Sequence, residues 1–316
     1  MRPQRVAAPS PSRPSASTNE HGPLDVVILT RNEEENLPYA LASVIGWAEA
    51  VWVVDAHSTD RTAVIAGAAG AHVVTHEFTG YAAQRTWALR TLPFTGDWVL
   101  FLDADEAVTP ELRAELSAVL ASPPPGVAGF YVKRRFVFLG RWLRRGGYYP
   151  VWLLRVMRHR TARCEERAVD EHLLVEGPTA RLRHDLVHED HRPLSRWVDR
   201  HNQYATLTAR ELRYGGSRDA LTARWDGTQA ERKRWWYERV YRRAPLGLRA
   251  AAYFFYRYVV RGGFLDGREG FIYHVLQGLW YRVLTDAKLL EAKRGGAPED
   301  DSGLARAPAP GPATER

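Results

Sequence analysis

The chain has 316 residues, 45% of them hydrophobic and 26% charged, with a formal net charge of +7. Such a chain can bury a sizeable core and is neither collagen-like nor wholly disordered, while its positive excess points to anionic partners: phosphate-bearing ligands, nucleic acid or a lipid surface. The single cysteine, Cys164, excludes an internal disulfide, argues against a cysteine-based zinc site and fits a reducing cytoplasm.

Met1 to Gly22 is rich in Pro, Ser and Ala without an apolar core, so it is expected to be a disordered tail rather than a secretory signal or an anchor. Asp25 to Thr30 is a near-continuous apolar run, as buried parallel strands are, and a helix is expected over about Glu33 to Trp47. Val51 to Asp55 is a second strand, followed by a helix to about Gly70 for which Asp60 is the expected N-cap. Ala71 to Thr75 and Trp98 to Leu102 complete four strands, with a helix over Ala82 to Leu92 between the last two. Thr109-Pro110-Glu111 then opens a helix with a cap, a proline in the first turn and an early acid. This alternation predicts an α/β fold, doubly wound around a mostly parallel sheet.

Past Pro123-Pro124-Pro125 the pattern changes, with strands expected over Gly129 to Phe138, Val151 to His159 and Val169 to Val175. Between Lys133 and Arg163 the chain carries about ten Lys or Arg and no acid, interleaved with Trp142, Tyr148, Tyr149 and Trp152. From about Leu194 it reads as helical, ending in a long helix over about Arg268 to Leu290 with an apolar stripe. The expected organisation is a tail over 1–22, an α/β domain over 23–192 with its halves at 24–122 and 123–192, a helical region over 193–292 and a tail over 293–316. No stretch reaches the roughly 18–20 apolar residues that span a bilayer.

In doubly wound sheets, ligands bind beyond the carboxyl ends of the strands. The polar residues here gather at those ends: Thr30 to Glu33, Asp55 to Asp60, and Asp103-Ala104-Asp105-Glu106. Carboxylates ending a buried strand need compensation, and a divalent cation supplies it. Asp103 and Asp105 together are suited to holding Mg²⁺ or Mn²⁺ against a diphosphate, since such ions favour one or two carboxylates plus phosphate oxygens. No dinucleotide fingerprint, P-loop or nucleophile elbow occurs, which disfavours dehydrogenases, P-loop nucleotidases and serine hydrolases.

These segments, with Val53-Val54-Asp55, Ser58-Thr59-Asp60-Arg61-Thr62 and Gln84-Arg85, resemble the ordered signature of family 2 glycosyltransferases. The resemblance is firm over residues 24–122. A weaker one continues through Asp170-Glu171-His172-Leu173 to Gly262-Gly263-Phe264-Leu265-Asp266-Gly267, and the chain is most similar to the branch of bacterial lipopolysaccharide-core β-glucosyltransferases. The resemblance implies the GT-A nucleotide-diphospho-sugar fold and an inverting, metal-dependent transfer of a hexose from a nucleotide sugar, typically UDP-linked, to a glycolipid or surface-polysaccharide precursor. It implies that 23–192 is the catalytic domain, with 24–122 its nucleotide-binding half and 123–192 its acceptor half, that Thr30, Asn32 and Glu33 line the nucleoside pocket and that Asp55 accepts from the base. Arg85 would face the base or diphosphate, Asp103 the ribose or metal, and Asp105 the metal. Glu171, with Asp170 as second choice, would take the acceptor proton. His57 and Thr86 stand where the family usually has glycine and asparagine.

Other readings remain open from sequence. A nucleotidyltransferase also pairs carboxylates with a metal but normally carries a glycine- and lysine-rich segment near the first strand, absent here. A non-catalytic nucleotide-sugar-binding module would need no base, and a glycosidase would need no metal. His184, His188 and His191 do not fit a zinc pattern, and His188-Glu189-Asp190 is a competing site for the base. Arg232 to Tyr237 with Arg242 and Arg243, together with the C-terminal stripe, suits peripheral docking on the anionic cytoplasmic face of a membrane. No RNA-binding signature is present, so nucleic acid is not an expected partner.

Overall fold

The computed structural model describes residues 24–165, 172–214 and 223–294. Its first half follows the alternation of the sequence: β1 (Leu24–Thr30), α1 (Leu37–Val44), β2 (Ala50–Asp55), α2 (Thr62–Ala68), β3 (His72–Thr75), α3 (Tyr81–Thr91), β4 (Trp98–Asp103), β5 (Glu106–Val108) and α4 (Pro110–Ala121). Then come β6 (Gly129–Phe138), β7 (Arg141–Leu143), β8 (Val151–Arg158), β9 (Ala162–Cys164), β10 (Leu173–Val175) and β11 (Thr179–Glu189). The helical region comprises α5 (Leu194–Tyr214), α6 (Gln229–Arg239), α7 (Leu248–Phe255), α8 (Gly267–Tyr273) and α9 (Tyr281–Lys293).

One sheet runs β3-β2-β1-β4-β8-β6-β11-β5, with β7 on the far end of β6. β1 to β4 pair in parallel, whereas β8 is antiparallel to both β4 and β6. The antiparallel β8 brings Arg155 of the cationic stretch beside the carboxyl end of β4. Along β1 the side chains alternate between two apolar layers. Val26 and Ile28 pack with Leu41 of α1 and Leu112 of α4, and Val27 packs with Ala88 of α3 and Phe101 of β4. Burial on both faces explains why these strands are apolar throughout. A third cluster, Phe138, Leu143, Trp197 and Tyr273, ties the helical region to β6.

Several expected boundaries shift. α1 begins at Leu37 rather than Glu33 because Pro38 sits in its first turn and Asn32 adopts a left-handed backbone (φ 55°), so residues 32–36 form a loop. α2 begins at Thr62, and Asp60 accepts the Thr62 amide at 2.9 Å while its other oxygen accepts the Glu34 amide at 3.2 Å. The Thr109 hydroxyl caps α4 by accepting the Leu112 amide at 3.2 Å. Of the strand expected over 169–175, residues 173–175 are extended and 169–171 lie outside the described residues. The 11-residue β11 follows, a strand that polar alternation in the sequence conceals. The long C-terminal helix is interrupted by a wide π-type segment over His274–Trp280, which rotates the apolar stripe. Tyr273, Tyr281 and Leu289 are buried while Phe271, Val283 and Leu290 are exposed.

Candidate active site

Three strand ends, those of β1, β2 and β4, meet at the carboxyl edge of the parallel strands. Asp55, closing β2, accepts from the Thr30 hydroxyl at 3.0 Å and from the Ser58 amide at 2.9 Å. Asn32 donates its amide to the Ser58 hydroxyl and accepts from the Thr59 amide, both at 2.8 Å. Thr30, Asn32 and Asp55 thus lace the first two strand-end loops together. Glu33, Arg85, Asp103 and Asp105 instead line a cleft of about 2200 Å³.

Asp103 ends β4, where Arg85 of α3 donates to it at 3.0 Å and Arg155 of β8 engages its second oxygen. The same Arg155 donates to Glu106 at 2.7 Å, and the Asp103 amide donates to Glu106 at 3.2 Å. Burial by itself would raise the Asp103 carboxyl, but the guanidiniums of Arg155 and Arg85 outweigh it and hold it well below the usual carboxylate range. Glu106 goes the other way: burial, opposed by Arg155 and reinforced by the charge of Asp103, pushes it up to about 7.

Asp105 faces different partners. Its carboxylate lies 3.3 Å from Nδ1 of His188 on β11 and 3.8 Å from Arg200 of α5. Burial, against the pull of Asp105, lowers His188 to about 4, so its ring is neutral at pH 7. Its buried Nδ1 has no hydrogen-bond partner among the described residues. Of the three histidines singled out in the sequence, His184 pairs with Glu115 at 2.8 Å and His191 stacks on Tyr39 at 3.8 Å. Only His188 turns into the site.

A second carboxylate group closes the near side. Arg192 donates to Glu33 at 2.7 Å and to Asp190 at 2.8 Å, while Arg200 also engages Asp190 and Asn36 bridges the two acids. Burial raises Glu33 to about 7 despite Arg192. Asp190, where burial is outweighed by the Arg192 hydrogen bond and by Arg200, is held low.

Among the described residues no three His, Cys, Asp or Glu side chains converge to hold an ion unaided. The donor set still suits a divalent cation completed by substrate: a carboxylate at Asp105, an orphaned imidazole nitrogen at His188, and room for phosphate oxygens. Both oxygens of Asp103 are engaged by guanidiniums. Asp170 and Glu171 lie outside the described residues. The sequence marks Glu106 among the strand-end acids without giving it a role, and it does not single out Arg155, Arg192 or Arg200. The acid-free cationic run was the available signal for Arg155; for the others, partners far along the chain gave none.

A family model described as glycosyl transferase family 2 matches residues 25–183. Over 99 residues the chain is 38% identical to an uncharacterized glycosyltransferase of Rickettsia bellii (strain RML369-C), covering 31% of this chain and 33% of that protein. A second, from Rickettsia typhi (strain ATCC VR-144 / Wilmington), matches with the same identity and coverage. The chain thus spans about a third of the length of these curated relatives. Among solved structures, a mannosyltransferase from Pyrobaculum calidifontis in complex with GDP-Man and Mn²⁺ is 18% identical, with 89% of this chain and 78% of that one covered and a TM-score of 0.43. Glucosyl-3-phosphoglycerate synthase from Mycobacterium tuberculosis, in complex with Mn²⁺, UDP and glucosyl-3-phosphoglycerate, is 19% identical over 64% of this chain and 86% of that one, with a TM-score of 0.39.

Proposed function

From the premise that this chain belongs to glycosyl transferase family 2, we propose that it is an inverting, metal-dependent hexosyltransferase using a nucleotide sugar, with UDP as the nucleotide. The observation that carries this reading is the division of labour between the two aspartates of strand β4's end. Asp103 is locked by Arg85 and Arg155, whereas Asp105 confronts a neutral His188 whose Nδ1 is unpaired. In this proposal Asp105 and His188 hold Mg²⁺ or Mn²⁺. The ion, when bound, neutralises charge on the departing diphosphate.

The chain's own residues do the rest. Glu33 and the Thr30, Asn32 and Asp55 lacing shape the nucleoside end, and Arg85 and Asp103 form a rigid floor beneath the sugar and diphosphate. A carboxylate must take the proton from the acceptor hydroxyl as its oxygen attacks the anomeric carbon. We assign this to Glu171, with Asp170 second, and a β-linked product follows from the single displacement. The experiment is a screen of UDP- and GDP-hexoses for thermal stabilisation with and without Mn²⁺. A ligand bound only by the native state raises the melting temperature, so one sugar nucleotide should do so with metal present and lose the effect with EDTA. Uniform indifference to all of them would sink the reading.

The acceptor is proposed to be a glycolipid or envelope-polysaccharide precursor, as in the lipopolysaccharide-core branch, met at the cytoplasmic face of the membrane. Among the described residues no helix is long and apolar enough to cross a bilayer. Phe255, Tyr256, Val259 and Val260 recur at helical spacing and are all exposed, with Arg261 beside them. In this reading the apolar contact lies at the end of α7 and the segment that follows it rather than on the C-terminal stripe. An exposed apolar ridge with adjacent cations suits an anionic leaflet. Flotation with anionic vesicles should carry the wild-type chain upward, and Val260→Asp should weaken partitioning about tenfold. Equal flotation of the two would exclude this ridge.

A further inference from the structure

Beyond the carboxylates, the same cleft continues between the sheet and the helical region, where it is lined by Tyr148, Tyr253, Arg257, Gln277 and Arg282. Arg257 lies over the Tyr148 ring at 4.1 Å and donates to the Tyr253 hydroxyl at 2.7 Å. Arg282 lies over the same Tyr253 ring at 4.7 Å. Among the described residues neither guanidinium forms an ion pair with a carboxylate. Four buried polar atoms here also lack hydrogen-bond partners: Tyr148 Oη, Arg257 Nε, Gln277 Oε1 and Arg282 Nε.

Two half-buried cations without a paired carboxylate, beside unsatisfied polar atoms, are costly unless something anionic completes them. Tyr253 registers the same field. Burial would raise its hydroxyl, but Arg257 and Arg282, helped by Lys233, outweigh burial and lower it. The place is connected to the proposed metal end by a short aromatic wall. Phe136 stacks on His188 at 5.2 Å and meets Tyr148 at 6.2 Å.

We propose that Arg257 and Arg282 form a second anion site in this cleft, distinct from the donor diphosphate position, which receives a phosphoryl group carried by the acceptor. Guanidinium forks are suited to phosphate oxygens, and Tyr148 and Tyr253 supply hydroxyls around them. The assignment of the anion to the acceptor rests on the glycosyltransferase reading; the anion site itself does not.

The test uses the full chain saturated with UDP and Mn²⁺, so that the donor position is filled, and titrates inorganic phosphate against chloride at equal ionic strength. Phosphate should add its own stabilisation, and Arg257→Gln should weaken it about tenfold or more, the scale of a hydrogen bond to a charged group. Arg282→Gln should do the same, and because its burial endangers folding, Arg257→Gln is the deciding variant. In a second arm, vesicles containing phosphatidic acid are compared with phosphatidylcholine alone. Binding that requires phosphatidic acid and is lost in Arg257→Gln identifies a lipid-borne phosphate, and phosphate binding without vesicle binding identifies a soluble one. Phosphate that is expelled by UDP and Mn²⁺, or that binds Arg257→Gln as tightly as wild type, overturns the site. If no sugar nucleotide binds while phosphate still does, it is the transferase reading that fails and not the anion site.

Discussion

Asp105→Asn should lower kcat/KM for transfer by about 10²–10³-fold, the scale seen when one preorganised electrostatic group is removed from an active site, while leaving the melting temperature nearly unchanged. The reasoning is geometric. Asp105 is enclosed but has no close ion pair: its nearest cationic side chain, Arg200, is 3.8 Å away. The neutral His188 ring contributes no charge to be stranded. Asparagine keeps the shape and removes the negative charge that a divalent ion requires. The loss should also appear as a higher Mn²⁺ requirement, and His188→Ala should share it. Initial rates across a Mn²⁺ series, with donor fixed at saturation, separate the two effects. A variant as active as wild type at every metal concentration would leave the metal role of Asp105 without support.

Arg155→Met should have the largest effect on stability, a loss of about 3–5 kcal/mol, the usual result of breaking a buried ion pair from one side. Glu106 has no exposed side-chain surface, and its other cation, Arg134, is 3.9 Å away, against 2.7 Å for Arg155. Removing Arg155 strands the Glu106 carboxyl and loosens Asp103, which then keeps only Arg85. For a chain of this size the expected fall in melting temperature is on the order of 10 °C. Arg155→Lys should recover part of it, because an ammonium replaces the charge but not the fork that touches both acids. Adding Glu106→Leu to Arg155→Met should recover stability further, since an apolar pair of similar volume needs no compensation. Chemical denaturation of the three variants checks the order. If Glu106→Leu fails to rescue, the stranded carboxyl is not the source of the loss.

These two residues also mark the boundary of what the chain declares locally. Asp103 and Asp105 follow an apolar strand, and the alternation of β1 to α4 is written in neighbouring residues, as is the Thr109-Pro110 start of α4. Periodicity and capping act over a few positions, so the parallel half and its acid-bearing edge are legible in sequence. The π-type break at His274–Trp280 is not, because periodicity and caps carry no mark of it, whereas the start at Leu37 has a local cause in Pro38 that the apolar periodicity masks.

The pairings that give each acid its character were decided only by the tertiary structure. Arg155 reaches Asp103 across 52 residues because β8 returns antiparallel beside β4, and Asn36 reaches Asp190 across 154. The same long-range closure turns His188 rather than His184 or His191 toward Asp105, and brings Arg257 and Arg282 to one tyrosine. Residue type and spacing determine which groups can ionise and which strands are buried. Which charge neutralises which depends on how the second half of the sheet and the helices fold back, and the strength of that choice comes from burial, where an unpaired charge is too costly to keep.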